Sequence, residues 1–86
     1  MVQESFTIRN PAGLDLKQTA ALCTESIKYE SSVYLNLGNA RINGKSVLNV
    51  LSACVKCDDV ITLVCEGSDE EEALKNIGKL ISEGLE

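Results

Sequence analysis

The chain has 86 residues, a formal net charge of −5, four cysteines and no histidine. Its length allows one domain, expected over residues 1–86, and 44% hydrophobic with 24% charged residues suits a folded chain with one modest core. Acidity and only three aromatics leave no basic face or stacking platform for nucleic acid, and the missing histidine removes imidazole acid–base chemistry, histidine metal ligation and phosphohistidine.

The first residues, Met-Val-Gln-Glu-Ser, carry no basic stretch and no apolar run, so no secretory signal is read there. No apolar run approaches the ~20 residues that span a bilayer. A cytoplasmic chain with reduced thiols is expected.

Residues 2–9 alternate, with Val2, Phe6 and Ile8 on one face and Glu4 as the exception. This predicts a half-buried strand. Asn10-Pro11-Ala12-Gly13 is a turn signal. A helix fits residues 15–28, with Leu16, Ala20, Cys23 and Ile27 as its buried stripe. Asp15 is a favoured N-cap, and Gln18 stands where a capping box needs it. Ser32 to Leu37 and Ala40 to Asn43 read as a hairpin turned by Gly38-Asn39.

After Asn43-Gly44, a short helix is expected, with Val47, Val50, Leu51 and Cys54 as its inner stripe and Ser46 at its start. Val60 to Cys65 reads as a strand. The last helix opens at Ser68, with Glu71 completing a capping box, and buries Ala73, Leu74, Ile77, Leu80, Ile81 and Leu85. The order is βαββαβα. It predicts an α+β chain in which helices cover one face of an antiparallel sheet.

Two segments carry a resemblance: Gly13-Leu14-Asp15-Leu16-Lys17-Gln18 and Lys45-Ser46-Val47-Leu48. With the element order and length, the chain resembles the HPr family, the small phosphocarriers of the bacterial sugar phosphotransferase system. The family's first motif is Gly-Leu-His-x-Arg-Pro-Ala, and its second is Lys-Ser before two apolar residues. Here Asp15 stands at the histidine position, Lys17 at the arginine, Gln18 at the proline and Thr19 at the alanine.

The resemblance implies an HPr-like open-faced β-sandwich, a four-stranded antiparallel sheet with three helices on one face. The departures resemble the non-carrier, Crh-like branch, which lacks the histidine and keeps the regulatory serine. They imply a regulatory protein without catalysis of its own, modified at Ser46 by an HPr kinase/phosphorylase, or alternatively a degenerate HPr-like binding module without phosphorylation or a cysteine-based redox or metal module on the same fold. Implied partners are a LacI-type transcriptional regulator or other phosphotransferase proteins, with no direct nucleic acid, membrane or cofactor.

Each site has a plainer reading beside this one. Ser46 serves as an N-cap whether or not it is modified. Asp15 caps the first helix, imitates a phosphorylated carrier, or accepts a phosphoryl group itself. Lys17 and Lys45 are the candidate anion contacts, with Lys45 placed to shield Ser46. Val47, Leu48 and Leu51 form the expected partner patch, with Leu48 facing outward. Cys54-Val55-Lys56-Cys57 is a C-x-x-C, read as small buried hydrophobes or, at Cys57 above all, as thiol redox chemistry. Zinc needs four ligands, and the other two thiols, Cys23 and Cys65, fall on predicted core stripes.

Overall fold

The computed structural model describes residues 1–85. The elements are β1 (Val2–Thr7), α1 (Leu16–Ser26), β2 (Ser32–Leu37), β3 (Ala40–Asn43), α2 (Val47–Ser52), β4 (Val60–Glu66) and α3 (Glu70–Ser82). The strands form one antiparallel sheet in the order β1-β4-β2-β3. The expected α+β architecture is the one observed.

Register explains the two faces. Phe6 pairs with Ile61, Glu4 with Leu63 and Val2 with Cys65. On the other side of β4, Val33 pairs with Cys65 and Leu35 with Leu63, and Leu35 also pairs with Ile42 of β3. Period two therefore puts these apolar residues on one face. The helices meet that face with Leu22, Cys23, Val50, Ala73, Ile77 and Ile81, all in the same buried cluster. The opposite face stays largely polar: Ser5 hydrogen-bonds Thr62 at 3.0 Å, and the Arg41 guanidinium lies 3.7 Å from the Tyr34 ring centre. No helix among the described residues is long and apolar enough to cross a membrane.

Four expectations need correction. First, β1 ends at Thr7 rather than at residue 9. The ladder runs out because Thr7 pairs with Val60, the first residue of β4. Beyond it, the Ile8 N–H donates to the Asp59 carbonyl (2.8 Å) and the Asp58 N–H to the Ile8 carbonyl (2.7 Å), so Ile8 reaches the core from a loop.

Second, α1 buries a different stripe. Thr19, Leu22, Cys23 and Ser26 face inward, while Leu16 and Ile27 are 61% and 63% exposed and Ala20 is exposed. Thr19 and Ser26 conceal their polarity by donating to helix or pre-helix carbonyls, Leu14 at 3.5 Å and Leu22 at 2.7 Å. Two hydroxyls on the inner face erase the apolar period that a sequence reading depends on.

Third, neither capping box closes. Asp15 caps α1 by accepting from the Leu16 N–H (2.8 Å), and Gln18 Oε1 is buried without a partner among the described residues. At α3 the N-cap is Asp69, not Ser68. Ser68 donates instead to Glu30 (3.3 Å), and Glu70 accepts from the Gly67 N–H (3.1 Å). The Asp69 carboxylate turns away to take the Glu30 and Ser31 N–H groups, each at 3.0 Å, and the Ser31 hydroxyl.

Fourth, neither Val47, which is 41% exposed, nor Cys54 belongs to a buried stripe; Val50 is the buried residue of α2. α2 stops at Ser52, and Cys54 follows its C-cap in a left-handed conformation (φ 53°), exposed. That conformation, a common helix stop, turns the chain so that Val55 enters the core instead.

Candidate functional site

The Asp15 loop is built on Gly13. Gly13 closes a turn by donating to the Asn10 carbonyl (2.8 Å) and takes a φ of +69°. The next N–H, from Leu14, donates to the Val55 carbonyl at 3.0 Å. The loop before α1 is thus strapped to the exit of α2. Asp15 and Lys17 stand exposed on the first turn of α1. A carboxylate at a helix N-terminus is electrostatically favoured, which accounts for Asp15 as a cap.

The same strap gathers the exposed thiols. Cys57 lies beside the loop, its Sγ 3.8 Å from the Arg9 carbonyl oxygen, and Cys54 sits two residues after α2. Both are free and exposed, so burial explains neither. Cys23 and Cys65 are buried, and burial pushes both thiols up, Cys65 to about 11. They are inert packing residues. Among the described residues no three Cys, Asp or Glu side chains gather closely enough to hold a metal ion.

Ser46 forms the second centre. Its backbone is extended and its Oγ accepts from the Asn49 N–H at 3.2 Å, capping α2. The hydroxyl lines an open dent of about 400 Å³ together with Asn43, Leu48, Asn49 and Ser52. Leu48 is 76% exposed and Val47 41%, whereas Leu51 is half-buried. The expected patch therefore has two outward members and one inward-leaning member. Lys45 is not turned to the serine: its ammonium donates to the Tyr29 carbonyl at 2.6 Å, just past the end of α1. Shielding of Ser46 by Lys45, as expected from adjacency, would require breaking that bond.

The sequence reading missed part of this surface. Leu16 and Ala20 of α1 and its C-cap Ile27, expected in the core, lie outside it. α1 packs against α2, so two neighbouring helices both present apolar side chains to solvent. The signal that could have found them was the pair of alternative stripes on α1, which only the polar Thr19 and Ser26 made unequal.

Residues 2–83 match the family model described as PTS HPr component phosphorylation site. The chain is 30% identical over 83 residues to the HPr-like protein Crh of Bacillus subtilis, covering 96% of this chain and 98% of that protein. It is 27% identical over 75 residues to the HPr-like protein Crh of Halalkalibacterium halodurans, covering 87% and 89%. Among solved structures, HPr-C-His from Thermoanaerobacter tengcongensis superposes with a TM-score of 0.94 at 30% identity, covering 99% of this chain and 96% of that one. By sequence and by fold, this chain belongs to the HPr family of the bacterial sugar phosphotransferase and catabolite-repression systems.

Proposed function

We propose that this chain is a regulatory HPr-family protein of the cytoplasm, phosphorylated at Ser46 and acting by binding other proteins. It does not relay phosphoryl groups through position 15. The observation that carries the reading is the pairing of an accessible, preformed Ser46 beside exposed Val47 and Leu48 with a carboxylate, not an imidazole, at Asp15. The likeness to two proteins named Crh lends support at the level of the branch.

The chemistry is simple. A phosphoserine brings about −1.5 to −2 charge at neutral pH. On α2 it meets the positive end of the helix and its leading N–H groups. Lys45 is committed to Tyr29, so most of that charge faces outward. A partner supplies the cations, best as arginine forks. An HPr kinase/phosphorylase installs the group; a LacI-type regulator or another phosphotransferase protein reads it. Asp15 and Lys17 form the degenerate carrier loop.

Incubation with ATP and an HPr kinase/phosphorylase should add one phosphate by mass, and Ser46→Ala should abolish the gain. Enzyme I with phosphoenolpyruvate should leave the chain unlabelled. An unmodified wild type, or a label on Asp15, refutes the reading. The exposure of both Cys54 and Cys57 favours a second reading, a thiol-based module. That reading requires a Cys54–Cys57 disulfide to form readily under mild oxidation.

A further inference from the structure

The turn that carries Ser46 is tied at more points than a helix cap needs. Gly44 roots it on β2 by donating to the Val33 carbonyl (2.8 Å). Asn43 Oδ1 accepts from the Lys45 N–H (3.0 Å), and the Asn43 carbonyl from the Ser46 N–H (3.2 Å). Asn49 then closes the turn from the helix side. Its Oδ1 accepts from the Asn43 N–H at 2.5 Å, while its own N–H donates to Ser46 Oγ at 3.2 Å.

Those two bonds have different sources. Any residue at 49 except proline supplies the backbone N–H. Only a side chain with a short acceptor supplies the clasp to Asn43. Asn49 is exposed, so packing does not account for the contact. The clasp joins the last residue of β3 to the first turn of α2 and leaves Ser46 between two fixed points. The hydroxyl oxygen accepts from the Asn49 N–H, and Ser46 lines the dent together with Asn43, Leu48, Asn49 and Ser52.

We propose that Asn49 is a positioning residue for Ser46, holding the hydroxyl in one orientation for phosphoryl transfer. This rests on the reading of Ser46 as a modification site and deepens it. In that transfer the bond from the γ-phosphorus of ATP to its bridging oxygen breaks, a bond from Ser46 Oγ to phosphorus forms, and the hydroxyl proton passes to a base of the kinase. The products are phosphoserine and ADP. A turn held ready lowers the ordering cost that the kinase otherwise meets at binding.

Asn49→Ala keeps the capping N–H and removes the clasp alone. With an HPr kinase/phosphorylase and ATP, its kcat/KM should fall about three- to tenfold, the worth of one such hydrogen bond. The Asn43 amide should exchange faster by NMR. Asn49→Asp keeps an acceptor and should recover both readouts, which a merely structural role would not produce. Ile77→Val, a mild core lesion far from the turn, should keep the wild-type rate. A wild-type rate in Asn49→Ala, or an equal loss in Ile77→Val, overturns the proposal. If the wild type itself is not modified, the reading of Ser46 fails and the proposal falls with it. The Asn43 exchange still reports separately whether the clasp exists.

Discussion

Gly13→Ala tests how the Asp15 loop is held. Two costs fall on the new methyl. The first is conformational: Gly13 has a φ of +69°, where an L side chain costs about 1–2 kcal/mol. The second is steric. A Cβ there would stand 2.1 Å from the Val55 carbonyl oxygen and 2.7 Å from the Lys56 Cα, both backbone atoms that cannot rotate aside. Relief requires the two loops to part by roughly 1 Å, which sacrifices the Leu14–Val55 hydrogen bond at 3.0 Å, worth about 0.5–1.5 kcal/mol. The sum is about 1.5–3.5 kcal/mol. For a chain of this size, each kcal/mol moves Tm by about 4–8 °C.

Gly38→Ala is the internal control. Gly38 also has a positive φ (+58°), but a Cβ there meets nothing within 4 Å. Its cost should stay near the conformational term alone. Urea denaturation and thermal scans of both variants measure the difference, and the excess in Gly13→Ala is the price of separating the loops. Equal destabilisation of the two would refute the strapping of the Asp15 loop onto residues 55 and 56.

Other predictions follow from burial and charge. Leu63→Ala, fully buried on the interior strand β4, should cost about 2–5 kcal/mol in a denaturant titration; a loss under 1 kcal/mol would contradict the buried core. Leu48→Ser, at a site 76% exposed, should leave Tm unchanged yet weaken modification by the kinase. A native thiol titration should find Cys54 and Cys57 fast and Cys23 and Cys65 slow until unfolding, and four equal thiols would refute that. The Ser31 hydroxyl, with the Glu30 and Ser31 N–H groups, holds the Asp69 carboxyl below its ordinary 3.8. The folded state thus binds that proton more weakly than the unfolded chain. Its stabilisation is complete above pH ~4 and is lost as pH falls through the lower folded value. Asp69→Asn should therefore show a shallower acid loss than the wild type; parallel stability curves would remove Asp69 as a cause.

Much of the fold was legible because its strands report themselves. Val33, Leu35 and Leu37 alternate with Tyr34 and Asn36; Ile61, Leu63 and Cys65 recur at period two, and Gly38-Asn39 marks the hairpin. The register that pairs Leu63 with both Glu4 and Leu35 follows from burying those alternations together. α3 was equally clear, since its inner stripe is apolar throughout. α1 was not. Its inner face carries Thr19 and Ser26, whose hydroxyls are satisfied by nearby carbonyls, and such local satisfaction leaves no trace in hydropathy.

The site divides the same way. That position 15 holds a carboxylate, that a serine stands at position 46 and that the chain has no imidazole are matters of residue identity, and the sequence alone decides them. Where Lys45 points and what lies beside Cys57 depend on contacts across the chain. Tyr29 lies 16 residues from Lys45, and Arg9 lies 48 from Cys57. No local pattern encodes a hydrogen bond between residues so far apart. Only packing α1, α2 and the loops onto one sheet brings those groups within reach, and there tertiary structure rather than sequence spacing determines the partner.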